Sequence, residues 1–196
     1  MAMFRNTKVE LHSSFYIILA TSILLLPIQW VLGWFIAAAT HEMGHIVSMV
    51  LLNVRIYSIQ FNIFGAKIEA ENMYPANELI SSLAGPVAAL IFVIFYRSLP
   101  HIAICAAIQS LFNLLPIYPM DGGRVLHCAC TIITNEHIAD IVIKFTGVIT
   151  TLTICVAIIY VGWKYFGAFS LLPCIIISFK YLAGKYPCKV KKQIVE

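Results

Sequence analysis

Residues 34–52 read Trp34-Phe35-Ile36-Ala37-Ala38-Ala39-Thr40-His41-Glu42-Met43-Gly44-His45-Ile46-Val47-Ser48-Met49-Val50-Leu51-Leu52. The stretch is apolar and long enough to cross a bilayer, which takes about 20 residues of helix. Three ionisable side chains, His41, Glu42 and His45, interrupt it. Four helical residues turn the chain by about 400° and advance it by about 6 Å, so the two histidines sit about 40° apart on one face. Imidazoles so placed can hold one zinc ion, and the carboxylate beside them can act as a general base. A charge near mid-bilayer costs about 2.5–3.5 kcal/mol on insertion scales, so Glu42 needs a chemical reason to be there. The bland alternative is a pair of core histidines and a carboxylate bonded to one another.

The rest of the chain is as apolar as this segment. Of 196 residues, 61% are hydrophobic and 11% charged, against roughly 45–50% and 25% in soluble domains. Mean hydropathy is +0.89. These values exclude a water-soluble globular domain, a disordered chain, a coiled coil and a nucleic-acid reader. They predict one membrane-embedded domain over residues 1–196, an all-α polytopic fold of about six transmembrane helices. Spans are expected at about 13–32, 34–52, 78–96, 101–118, 138–162 and 166–183. A basic start followed by the first apolar run superficially fits a signal peptide. The run is too long for one, and the candidate cleavage site Ala37-Ala38-Ala39 lies inside another apolar run, so a retained span is expected.

Residues 53–71 differ. Val54, Ile56, Ser58, Gln60 and Asn62 alternate with Arg55, Tyr57, Ile59, Phe61 and Ile63, and Gly65 follows. Period-two mixing with a glycine predicts a short β-hairpin between the second and third spans. Residues 124–133 look helical. Arg5, Lys8 and the lysines of the tail 184–196 put both termini in the cytoplasm, with Arg97 and Lys164 on the other side. The expected location is the cell membrane, multi-pass. The net charge of +4 belongs to these segment ends, not to a nucleic-acid surface. Of the six cysteines, Cys105, Cys128, Cys130, Cys155 and Cys174 lie in apolar runs and read as small hydrophobes.

A catalytic zinc needs a third protein ligand and an open position. The candidates are Asp121, Asp140, Glu136, His101, His127 and His137. Asp121 stands out, because Pro116, Pro119 and the pair Gly122-Gly123 forbid a regular helix around it. Irregular backbone at membrane depth is tolerated only where protein buries it or water lines it. The alternative for Asp121 is a capping residue at the start of the next helix. Asp140 and Lys144 read as an ion pair four residues apart. His101 and His137 read as span-end residues, and His127 as a hydrogen-bonded helix histidine.

These residues resemble the site-2 proteases, a family of intramembrane zinc metalloproteases. His41-Glu42-Met43-Gly44-His45 matches the first signature. Asn113-Leu114-Leu115-Pro116-Ile117-Tyr118-Pro119-Met120-Asp121-Gly122 matches the second, Asn-x-x-Pro-x-x-x-x-Asp-Gly. Ala84-Gly85-Pro86 matches a third element, and Phe61 to Ala66 looks like the family's Phe-x-x-x-Gly-Gly hairpin, with Ala66 in place of the second glycine. The likeness covers about residues 8–184 and looks most like the subgroup of the stage IV sporulation protein FB, without its CBS domain and without a PDZ insertion.

The resemblance implies one Zn2+ per chain, held by His41, His45 and Asp121. It implies Glu42 as the catalytic base and Asn113 as a substrate-binding or loop-orienting residue. The implied activity is that of a metalloendopeptidase cutting within or next to a transmembrane segment of a membrane-spanning or membrane-associated protein, in regulated intramembrane proteolysis. The substrates it suggests are a sigma or anti-sigma factor, as in sporulation, or leftover signal peptides. A membrane inhibitor protein is a further partner of this class, besides the lipid bilayer itself. The unpaired edges of the hairpin are expected to capture an unwound substrate by strand addition, so prolines along 56–63 should reduce cleavage without losing zinc. His41 lies about 11 residues, or 16 Å, from the cytoplasmic end of its span, which favours access from that side. Two other functions are set against this one. A membrane metal transporter would also place His, Glu and Asp in the bilayer, but these residues cluster and no inverted repeat is visible. An inactive scaffold would not need both motifs chemically intact.

Overall fold

A computed structural model describes residues 7–62 and 65–166. The expected sixth span, the basic tail and the chain termini lie outside the described residues. The chain is mostly helical with one small sheet, and it divides into two compact units, one up to residue 112 and one from residue 113.

The first unit opens with strand β1 (Lys8–Leu11), helix α1 (Ser13–Leu25) and helix α2 (Ile28–Leu51). The expected boundary between the first two helices is corrected: residues 28–32 belong to α2, not to the first helix. Leu26 is extended and Pro27 precedes the new helix. Proline has no N–H to continue a helix and disfavours helical geometry before it. A hydropathy profile does not register this break, because the residues on both sides are apolar.

α2 ends at Leu51 with Leu52 as its C-cap, and Asn53 takes a left-handed φ of 57°, a conformation asparagine tolerates at helix C-termini. The chain then forms β2 (Ile56–Asn62) and β3 (Gly65–Ala70), paired antiparallel with Ile59 opposite Ile68 and Asn62 opposite Gly65. The hairpin lies where its alternating pattern predicts. The sheet has a third member: β1 pairs parallel with β2, Val9 opposite Ile59. β2 is therefore the central strand of the order β1-β2-β3. The expectation of free edges along 56–63 is corrected on this point, since β2 is bonded on both sides. A proline there would break the sheet itself. Among the described residues the far side of β1 is one open edge of the sheet and the far side of β3 is the other. On its exposed face Lys67 Nζ donates to Glu69 Oε1 at 2.7 Å and Ser58 Oγ donates to Oε2 at 3.0 Å. The Lys67 bond, then the Ser58 bond, holds the Glu69 carboxyl below its ordinary pKa.

Met49, Val54, Ile56 and Ile59 form a buried apolar cluster between the end of α2 and the sheet. Helix α3 (Pro75–Ile94) packs along α2, and helix α4 (Pro100–Asn113) completes the unit. Here the contacts are made by small residues: Ala37, Ala89, Cys105 and Ala106 are buried together. Small side chains let helix backbones approach, which is how helices pack where lipid removes the hydrophobic driving force.

The second unit contains helix α5 (Asp121–Ile133) packed on helix α6 (Glu136–Phe166). Between Asn113 and Asp121 the backbone is non-helical and the Tyr118–Pro119 peptide is cis. Two described helices, α3 and residues 136–160 of α6, are long and apolar enough to cross a membrane.

Candidate metal centre

α2 buries one stripe spaced four residues apart: Gly33, Ala37, His41, His45 and Met49. The small residues at the start let neighbouring backbone come close, and an added Cβ on Gly33 would lie 3.1 Å from the His101 carbonyl carbon. The histidines occupy the middle of the stripe, 3% and 8% exposed. Their Nε2 atoms are 3.2 Å apart and the rings meet edge to face. Zinc–nitrogen bonds of about 2.0–2.1 Å at the tetrahedral angle separate two ligand nitrogens by about 3.4 Å. The spacing of the imidazoles therefore suits one tetrahedral ion between them.

The ring of His45 is oriented from outside its own helix. Nδ1 lies 2.8 Å from the Ser81 carbonyl oxygen. Ser48 Oγ donates to the carbonyl of His45 at 2.7 Å and lies 3.2 Å from Ser81 Oγ, within hydrogen-bond distance. Glu42 is half-buried on the adjacent flank of α2. A Cβ placed on Gly65, the first residue of β3, would lie 4.0 Å from Glu42 Oε1. The returning strand of the hairpin thus starts beside this carboxylate. Gly65 has φ 111°, a value that excludes side chains at this approach.

In the second unit Asp121 is the first residue of α5, with extended Met120 before it. Ile117 and Met120 turn inward, 2% and 5% exposed. Backbone bonds from Ile117 N to Leu115 O, 2.7 Å, and from Met120 N to Ile117 O, 2.8 Å, close the loop tightly. Gly122 and Gly123 rest directly on it: a Cβ on Gly123 would come within 2.6 Å of the Ile117 carbonyl carbon. The glycine pair lets the helix begin against its own preceding loop, and Asp121 projects from that junction.

The donor atoms of His41, His45 and Asp121 all lie within 4.8 Å of one another. Two neutral imidazoles and one carboxylate form a donor set of the kind that holds a catalytic zinc with one position left for water. The other candidate ligands are engaged or placed elsewhere. His127 Nε2 donates to Asp140 Oδ1 at 2.9 Å within the second unit, so His127 is the bonded helix histidine its position suggested. The His101 ring stacks edge-on against Trp30, centroids 4.8 Å apart. Glu136 and His137 open α6, and Asn113 ends α4. The contribution of Ser81 and Ser48 was not readable from sequence, because no local pattern says which carbonyl will face a given imidazole.

The fold is that of a solved site-2 protease from Methanocaldococcus jannaschii, with a TM-score of 0.65, 20% identity, and 95% of this chain and 94% of that one covered. A zinc metalloprotease of Methanocaldococcus jannaschii is 27% identical over 139 residues, covering 60% of this chain and 41% of that protein. Stage IV sporulation protein FB of Bacillus subtilis is 27% identical over 133 residues, covering 61% of this chain and 46% of that protein. The chain spans less than half the length of the curated relatives it matches. It matches no family model. The chain thus shares its fold with a site-2 protease, is similar in sequence to proteins named as zinc metalloproteases, and carries paired His-Glu-x-x-His and Asp-Gly-Gly segments.

Proposed function

We propose that the chain is an intramembrane zinc metalloendopeptidase that cuts a membrane-spanning or membrane-associated protein within or next to a transmembrane segment. The observation that carries the reading is the convergence of His41, His45 and Asp121 to within 4.8 Å, with the Glu42 carboxylate next in sequence to the first ligand. A bound zinc would supply Lewis acidity, which brings the pKa of water toward about 7 and polarises a peptide carbonyl. Glu42 takes the proton from the attacking water and returns it to the leaving amine. His41, His45 and Asp121 are the ligands, and Asn113 orients substrate backbone or the Asp121 loop.

The membrane location is supported by the apolar character of exposed surface. Leu24, Ile94 and Ile133 are each more than 80% exposed, an arrangement that favours lipid over water. The reading keeps six spans, one zinc per chain, cytoplasmic termini and cytoplasmic access to the site. Sigma or anti-sigma factors are the regulatory substrates of this reading, with an inhibitor protein as a further membrane partner; one relative is named for sporulation.

A peptide inside a helix is shielded by its own hydrogen bonds, so a substrate must unwind before it is cut. The open edge of β3 starts beside Glu42 and offers main-chain groups to an extended segment. Alternate N–H groups of an antiparallel strand face opposite sides. Of Lys67→Pro and Ile68→Pro, one removes an inward donor and breaks the hairpin, while the other removes an outward donor. The outward variant is expected to keep zinc and lose at least about tenfold in cleavage of a single-span reporter protein. Normal cleavage by both variants would exclude strand addition here.

The ligand set is tested by zinc per chain in detergent-purified protein. Wild type is expected to hold about one ion and Asp121→Ala to lose it. Normal binding by Asp121→Ala would overturn the ligand set.

A further inference from the structure

His45 is gripped by α3 at two points. The Ser81 carbonyl oxygen lies 2.8 Å from Nδ1, and a carbonyl only accepts, so the ring proton sits on Nδ1 and the neutral ring keeps its lone pair on Nε2. One helical turn further on, Gly85 is buried beneath the same ring. A Cβ built on Gly85 would fall on the imidazole, and its three nearest atoms are all His45 ring atoms, Nε2 first. Gly44, on the facing helix, is different: its Cβ would meet the Ala84 carbonyl oxygen at 2.5 Å and the Ala88 Cβ at 2.8 Å. Gly44 therefore serves the approach of the two helices, while Gly85 makes a slot for one side chain. Ser48 Oγ, bonded to the His45 carbonyl and to Ser81 Oγ, fixes the backbone of His45 at the same level as Ser81. Ser81 is 2% exposed, so water does not compete for its polar atoms.

We infer that Ser81 and Gly85 are positioning residues for His45: the Ser81 carbonyl selects the Nδ1–H tautomer and Gly85 leaves the slot in which the ring lies, so that Nε2 is presented as a donor before any metal arrives. The inference rests on the zinc-site reading for its purpose, but it is a property of the metal-free protein and is measured there. Hydrogen-bond partners behind a ligating histidine set its tautomer and orientation, and losing them costs about 10–100-fold in metal affinity.

The test uses the metal-free full chain in detergent micelles with 15N-labelled histidine, at pH 8, where a histidine of ordinary pKa, about 6.5, is neutral. The His45 signals are assigned by their disappearance in His45→Gln. Wild type is expected to show a protonated Nδ1 and an unprotonated Nε2 for His45. Gly85→Ala is expected to lose that single-tautomer signature and to bind zinc at least about tenfold more weakly, with helical circular dichroism unchanged. Val87→Ala, on the exposed face of the same helix, leaves both readouts as in wild type. A His45 protonated on Nε2 in wild type overturns the inference even if Gly85→Ala does not fold. So does a Gly85→Ala variant with wild-type tautomer and affinity. Wild-type protein with the expected tautomer but no zinc binding would instead count against the metal-site reading and leave the inference standing.

Discussion

Glu42→Gln is expected to lower hydrolysis of a membrane-embedded reporter protein by at least about 100-fold while leaving about one zinc per chain. Removing a general base typically costs about 10²–10⁴-fold in rate. Glutamine has nearly the volume and helix propensity of glutamate, so α2 and its buried stripe are preserved. The ligands proposed are His41, His45 and Asp121, and none is touched. Half-buried Glu42 also carries a desolvation cost as a carboxylate, so the variant is expected to unfold no more easily than wild type. Zinc content by atomic emission and cleavage in the same preparation give the two readouts. Loss of zinc together with activity would make Glu42 a ligand and overturn its role as the base. A metal transporter would show altered flux in this variant and no cleavage with or without it.

Gly122→Ala is expected to damage fold and site together. An alanine Cβ there would collide with the Leu114 carbonyl and lie 2.6 Å from the Leu115 oxygen. All are backbone atoms, so no side chain can rotate away. Overpacking of this kind costs about 1–3 kcal/mol, which lowers the melting temperature of a chain this long by about 2–12 °C. The strain is relieved only by moving the loop or the start of α5, and Asp121 is the residue at that junction. Zinc per chain should fall well below one even in the fraction that stays folded. A Gly122→Ala protein that melts as wild type does and keeps its zinc would mean that the loop yields without moving Asp121. The same change at Gly44 tests helix approach, since its clashes are with α3.

The two imidazoles on one face were legible in sequence, because a spacing of four in a helix leaves no other geometry. The irregular loop at 114–120 was equally legible, because Pro116 and Pro119 cannot donate to a helix and the glycines that follow relax it. The hairpin followed from the alternation through residues 54–62. Each of these readings rests on covalent geometry and local period, which a short segment carries by itself. β1 was not legible. Lys8, Val9, Glu10 and Leu11 alternate, but four residues alternate in many loops, and the partner strand lies some fifty residues away. The break at Pro27 was misplaced for a different reason: both flanks are apolar, so hydropathy runs unbroken through a proline that ends one helix and precedes the next.

The sequence by itself determined the chemistry on offer: an apolar chain, two histidines on one helix face with a glutamate on the adjacent flank, and an aspartate in a loop that cannot be helical. Tertiary structure decided how that chemistry is held. It brought Asp121 within 4.8 Å of histidines some 76 residues earlier. It set the Ser81 carbonyl behind His45 and brought the start of β3 beside Glu42. It also covered β2 on both edges, leaving β3 as the open strand of the hairpin. These are contacts between segments far apart in the chain. They depend on how closely two helices approach at Gly44 and on which carbonyl then meets which ring, and no local period encodes either.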